Sequence, residues 1–214
     1  RQSEQPSRSI GFPTDEEFPF IIDCATSITQ RGKIEYFEKS GKPTPQGMVI
    51  GRDGKSKTDS ARILKDLLTG DAALAPLGGI GEELAGYKGY GYATVVEVLS
   101  AALQQGGYLK MLSGLDENGN KKPYNLGHFF IAIDTEAFMG LEEFKKTAGN
   151  IMRELRNSRK APDAQRIYTA GEKEWLAFQQ SKDSEVTVNE AVQKELSEIK
   201  KQYNLIKYYF EWEK

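Results

Sequence analysis

The chain has 214 residues, with 29 Lys and Arg against 31 Asp and Glu and a formal charge of −2. That balance removes the electrostatic case for nucleic acid or an anionic membrane surface, and no apolar run approaches the roughly 18 residues of a membrane-spanning helix. Cys24 is the only cysteine, which excludes an internal disulfide and a cysteine-built metal site, and a reducing, cytoplasmic setting is expected.

The N-terminal RQSEQPSRS has no apolar signal region. The chain opens without Met and soon reaches a strand-like run, which reads as an upstream region left out. Residues 18–25, FPFIIDCA, follow the turn-like FPTDEE and predict a buried strand. Ile28, Ile34 and Phe37 approach helical spacing, so a helix is expected from Ser27 to Lys39, with Gly41 as the stop. Residues 41–60 are rich in Gly, Pro, Lys and Asp and predict a loop with a turn. Asp59 is placed to cap a helix through Leu68.

Next comes a glycine-punctuated stretch, Leu74 to Gly91, and then an apolar segment from about Ala93 to Gln105. A helix without a polar face belongs inside a domain or in a subunit interface. HFFIAI, 128–133, predicts a second strand. Leu141 to Ser158 predicts an amphipathic helix with Phe144, Ala148, Ile151, Met152 and Leu155 on one face. RIYT, within the 161–171 loop, reads as a short extended piece, and Glu172 to Gln180 as a helix. TVNE suggests a capping box from Thr187 to Glu190 for a helix to about Tyr203. Strands mixed with helices give an α/β class, a mixed sheet flanked by helices. Residues 1–205 are expected to form one cofactor-binding portion and 206–214 an aromatic tail.

Several residues are candidates for chemistry. Gly78, Gly79, Gly81, Gly86, Gly89 and Gly91 either expose backbone N–H groups to a ligand or serve tight packing. They form neither a phosphate-binding loop ending in Lys-Ser/Thr nor a Rossmann fingerprint. Lys88, in GYKGYG, is either a solvated surface lysine or an anion holder. Glu97 is a lone charge among apolar residues and calls for a structural partner, such as a cation across an interface. His128, the only histidine, opens the second strand and fits packing better than catalysis. Gly171, Glu172 and Lys173 form a polar turn that either caps itself or binds a ligand oxygen. Asp23 suits a sugar hydroxyl or a helix cap. No nucleophile–base pair or metal cluster emerges.

IGFP (10–13), FIIDCATSITQRGKIE (20–35), GKPTPQGMVIGRDGKSKTD (41–59), PLGG (76–79), GYKGYGYATVVEVLSAAL (86–103), GHFFIAID (127–134) and AGEKEW (170–175) stand in the order and spacing of one family. Together they resemble the malate/L-lactate dehydrogenase-like enzymes, which are unrelated to the Rossmann-type dehydrogenases. The resemblance implies a fold peculiar to that family, a homodimer, and hydride transfer between NAD or NADP and the C2 carbon of a 2-hydroxy or 2-oxo acid such as malate or lactate. It carries cofactor contacts onto Pro19, Phe20, Ile21, Ile22, Asp23, Cys24 and Ala25, onto Tyr87 and Lys88, and onto Gly171, Glu172 and Lys173. The family's acid/base histidine has no match here and is expected upstream of residue 1, so no catalytic residue is assigned. The competing reading is a non-catalytic dimerising module built on the apolar 93–105 helix.

Overall fold

The computed structural model describes residues 7–213. Its contacts divide into a first unit ending at Glu172 and a second beginning at Lys173. Six α-helices and four short strands among the described residues make the mixed α/β class.

In the first unit, β1 (Ser7–Phe12) and β2 (Phe20–Ala25) pair antiparallel, with Ile10 opposite Ile22 and Phe12 opposite Phe20. β2 coincides with the expected apolar strand. β1 lacks a clear apolar alternation, and its partner strand defines it: the Phe12 and Phe20 rings lie 5.8 Å apart, a stabilising cross-strand pair. After β2 the chain does not enter a helix at Ser27 as expected. The Ser27 hydroxyl donates to the Thr29 carbonyl at 2.6 Å and Ser27 bridges to Pro76, so α1 (Arg31–Lys39) starts four residues later.

The 41–60 stretch is not all loop. It contains β3 (Val49–Gly51), which pairs antiparallel with β4 (Ala72–Leu74). Between them lies α2 (Ser60–Thr69), where the Asp59 carboxylate accepts from the Arg62 amide at 2.9 Å and Gly70, at φ 80°, ends the helix left-handed. Ile34, Val49, Ile63, Leu67, Ala72 and Leu74 close into one buried cluster where α1, α2 and the β3–β4 pair meet.

Helix α3 (Gly86–Ala101) is the expected apolar helix, extended seven residues toward its N-terminus. Its burial differs from expectation. Gly86, Gly89 and Ala101 are buried, while Tyr87, Tyr90, Tyr92, Val95 and Val98 stay exposed. Residues 128–133 are not a strand, because no segment of the described chain pairs with them. RIYT forms no strand either. In α4 (Leu141–Arg156) the buried stripe is rotated from the expected face: Gly149 and Met152 are buried, whereas Ile151 and Leu155 are exposed. The rotation brings Arg153 and Arg156 toward the 13–19 connection of the β1–β2 hairpin.

α5 (Glu172–Ser181) begins on the last residue of the first unit. In the second unit, α6 (Glu190–Gln202) is capped by Asn189 and not by Thr187, since the Asn189 side chain accepts from the Val192 amide at 3.0 Å. The aromatic tail folds onto α6: Trp212 Nε1 donates to Ser197 Oγ at 3.2 Å, and Phe210 stacks on Trp212 at 4.7 Å.

Two glycines of α3 test this packing. A Cβ on Gly89 would run into the Leu77 backbone, while one on Gly91 would meet open space. Gly89→Ala is expected to lower stability by about 1–3 kcal/mol. Gly91→Ala is expected to raise it by about 0.5–1 kcal/mol. Urea unfolding of the two variants checks the sign difference; equal effects would contradict the packing.

Candidate functional site

The site is built around β2, and each end of that strand is fastened differently. At its start the 13–19 connection is shaped locally: the Thr14 hydroxyl donates to the Phe18 carbonyl at 2.7 Å and accepts from the Glu16 amide at 3.2 Å. Arg153 forks onto both oxygens of Asp15 at 2.9 and 3.0 Å and reaches Glu16 at 3.1 Å. Arg156 bonds Glu16 and comes within 3.7 Å of Glu172. The Glu172 side chain has 1% of its surface exposed. Arg166 bonds one of its oxygens, and the other accepts from the Thr169 amide at 3.1 Å and the Thr169 hydroxyl at 3.2 Å. The reach-back to Thr169 is that of a capping box. Every oxygen of Glu172 is thereby occupied inside the protein.

This charged cluster sets the turn that follows Thr169 against β2. The Ile21 amide donates to the Ala170 carbonyl at 3.2 Å. Gly171 sits at φ 89°, and a Cβ there would stand 3.0 Å from the Pro19 carbonyl and 3.1 Å from the Ile21 amide. A left-handed residue pressed against strand backbone leaves room only for glycine.

The far end of β2 leads to the glycine-rich stretch through backbone alone. The Leu77 amide donates to the Thr26 carbonyl at 3.0 Å, the Ile28 amide to the Ala75 carbonyl at 2.8 Å, and the Gly89 amide to the Leu77 carbonyl at 3.1 Å. Gly78, Gly79 and Gly81 all have positive φ. A Cβ on Gly78 would stand 2.5 Å from the Ala85 carbonyl, and one on Gly86 would strike the Gly79 carbonyl. These glycines therefore serve close packing of the α3 N-terminus onto the 75–79 chain. Tyr87 and Lys88 emerge exposed beside it, and Lys88 forms no ion pair among the described residues. Tyr87 also lines a cavity of about 260 Å³ with Ile50, Pro76 and Gly81.

Alternation along β2 places Phe20, Ile22 and Cys24 on one face and Ile21 and Asp23 on the other. The Phe12 ring, on the first of these faces, also lies 6.3 Å from Phe144 of α4. Asp23 is exposed and accepts from the Ser9 hydroxyl at 2.7 Å, so it pairs across the hairpin and caps no helix. Cys24 is a half-buried free thiol.

Of the twelve residues singled out, Pro19 to Ala25 and the Gly171–Glu172 turn are in direct contact. Tyr87 and Lys88 join them through Thr26 and Leu77. Lys173 opens the second unit and is described with it. Two other candidates lie elsewhere. Glu97 faces a cavity of about 700 Å³ along α3, with Tyr90, Val98 and Leu112 in its lining, and its partner is the Leu109 amide at 2.6 Å in place of a cation. His128 is exposed, its ring 6.2 Å from Phe130. Among the described residues no group of three or more His, Cys, Asp or Glu is placed to hold a metal ion, and no helix is long and apolar enough to cross a membrane. Asp15, Glu16, Arg153, Arg156 and Arg166 carry no motif that marks them in the sequence. Arg153 and Arg156 are spaced to share a helix face, but Asp15 and Glu16, which they bond, lie more than a hundred residues away.

A family model described as malate/L-lactate dehydrogenase matches residues 7–197. The malate dehydrogenase of Pyrococcus horikoshii is 37% identical over 193 residues, covering 90% of this chain and 51% of that protein. The L-sulfolactate dehydrogenase of Methanocaldococcus jannaschii is 34% identical over 147 residues, covering 68% and 38%. Among solved structures, the malate dehydrogenase from Entamoeba histolytica superposes with a TM-score of 0.84 at 38% identity, over 92% of this chain and 54% of that one. The chain spans about half the length of the curated relatives it matches.

Two outcomes follow from the charged cluster. Glu172→Ala deprives Arg166 and both polar groups of Thr169 of their acceptor, while Arg156 keeps Glu16, and is expected to cost about 1–3 kcal/mol in urea unfolding; a loss under about 0.5 kcal/mol would contradict the cluster's role. The hydrogen bonds from Arg153 hold the Asp15 carboxyl below the usual carboxylate range. A lowered folded-state value stabilises the fold above the unfolded value, near pH 4, and that stability is lost as pH falls through the folded one. Asp15→Asn is therefore expected to flatten the fall in thermal midpoint below about pH 4. An unchanged acid limb would contradict the pairing.

Proposed function

Because the chain belongs to the malate/L-lactate dehydrogenase family, we propose that it forms the cofactor-binding portion, residues 1–205, of an oxidoreductase that moves a hydride between NAD or NADP and the C2 carbon of a 2-hydroxy or 2-oxo acid. Malate and lactate are the favoured substrates, in keeping with the names of the relatives. The observation that carries the reading is β2, backed at one end by the Gly171 turn and linked at the other to the Tyr87–Lys88 pair. Six strand residues span about 17–20 Å, a length suited to an extended dinucleotide.

The residues present fit such a ligand. When bound, the nicotinamide supplies the hydride-carrying carbon, and the protein supplies position and charge. Lys88, an exposed cation beside the α3 N-terminus, offers charge to a pyrophosphate. Asp23, already oriented by Ser9, accepts from a ribose hydroxyl. Gly171 leaves the β2 backbone free of side-chain bulk at the near end. Glu172 is assigned to this set on family resemblance, since its carboxylate is held by Arg166 and Thr169 and its amide donates to the Thr169 carbonyl. Lys173 is assigned a contact on family resemblance alone. No residue between 7 and 213 is assigned the proton transfer.

The exposed tyrosines and valines of α3 support a homodimer joined through that face. The same face favours a second reading, a dimerising module without catalysis. The near-neutral charge and single cysteine support a cytoplasmic protein.

Millimolar NADH or NADPH is expected to raise the thermal midpoint, since a ligand bound only by the folded state stabilises it. Lys88→Ala is expected to weaken that binding about tenfold, the effect of one charge-assisted contact partly screened by water. Calorimetric titration of both forms measures it. No shift with either cofactor, together with a stable cofactor-indifferent dimer, would favour the module instead.

A further inference from the structure

Residues 128–133 run without a turn or a bend, as does the chain on either side of them, from 122 to 134. Among the described residues, none of their backbone groups is paired except the His128 carbonyl, which accepts from Gln104 Nε2 at 3.0 Å. The side chains are bare as well: Phe130 is 87% exposed, Ile131 71% and Ile133 70%. The segment is nonetheless held at both ends. Gly127 presses so closely on the end of α3 that a Cβ would strike the Ser100 carbonyl. The Asp134 carboxylate accepts from the Glu136 amide at 3.0 Å and starts a helical turn at Thr135–Ala137.

Successive residues of a straight, unturned chain point to opposite sides. Phe129, Ile131 and Ile133 then share one side, and Phe130 and Ala132 the other. A run apolar on both sides suits an inner strand, with a neighbour along each edge and cover on each face. Left unpaired, its N–H and C=O groups are a template for another strand.

We infer that residues 128–133 are a docking strand for a second polypeptide portion, equivalent to the half of the relatives that lies outside the matched region. The Pyrococcus horikoshii and Entamoeba histolytica enzymes are about twice the length that this chain matches, covered to 51% and 54%. They carry enough additional chain to supply a strand on each edge and cover on both faces. A second copy of this chain, pairing its own 128–133 about a two-fold axis, would fill one edge and leave the other edge and both faces in water. The partner is therefore a domain-sized portion presenting apolar strands. This docking does not depend on the nicotinamide reading, and it is tested without any cofactor.

The test co-expresses the full chain with the part of the Pyrococcus horikoshii malate dehydrogenase that it does not match. Hydrogen exchange over 128–134 is then followed by mass spectrometry, with the chain alone as reference. The chain alone is expected to exchange within seconds at every concentration, and the complex to protect these amides by about a hundredfold or more. Ile131→Lys, at an exposed position, is expected to leave the thermal midpoint of the lone chain unchanged and to weaken the complex about tenfold or more. Protection in the dilute lone chain would overturn the inference, as would protection that grows with its concentration. Failure to form a complex, or a complex that leaves 128–134 fast-exchanging, would overturn it equally.

Discussion

A carboxylate with 1% of its surface in water persists only where other groups replace the lost hydration. Glu172 meets that demand with Arg166, Arg156 and both polar groups of Thr169. Through Arg156, which also bonds Glu16, they tie the 13–19 connection to the end of α4 and the loop before α5, more than a hundred residues later in the chain. The arrangement of the candidate site depends on this convergence. With Thr169 fixed, the Ala170 carbonyl meets the Ile21 amide and Gly171 lies flat against the Pro19–Ile21 backbone. One buried charge thus sets the near boundary of β2.

The far boundary is set by a different means, the absence of side chains. Gly78, Gly86 and Gly89 let α3 approach the 75–79 chain until backbone meets backbone. Their role is steric, and it delivers Tyr87 and Lys88 into solvent just past the strand. A ligand lying along β2 would meet a carboxylate at Asp23 midway and a cation at Lys88 beyond it. That order of charges suits a molecule with sugar hydroxyls and a pyrophosphate.

What was legible in the sequence follows the range of the interactions. Local signals were readable: the Asp59 cap, the apolar run of β2 and the extent of α4 all depend on neighbours within a few residues. Elements defined by distant partners were not. β1 has no pattern of its own, and β3 is three residues inside a loop-like composition, completed by β4. The start of α1 was displaced by the bridge from Ser27 to Pro76. Residues 128–133 show the converse: their composition is that of a strand, but a strand also needs a neighbour, and none is present among the described residues. In the candidate site, the residue types of β2 and the glycine stretch were readable. The link from Arg153 and Arg156 to Asp15 and Glu16 behind them was not, because those partners lie across the fold; Arg166 and Glu172 are six residues apart, but no periodic pattern in their loop marks the pair.

As proposed, β2, the Gly171 turn and the start of α3 form one continuous binding course. Amide chemical shifts of the isotope-labelled protein, followed as NADH is added, address this most directly. Residues 19–25, 86–89 and 169–171 are expected to move together with one dissociation constant. Shifts confined to the cavity beside Glu97, with β2 and Gly171 unmoved, would contradict it.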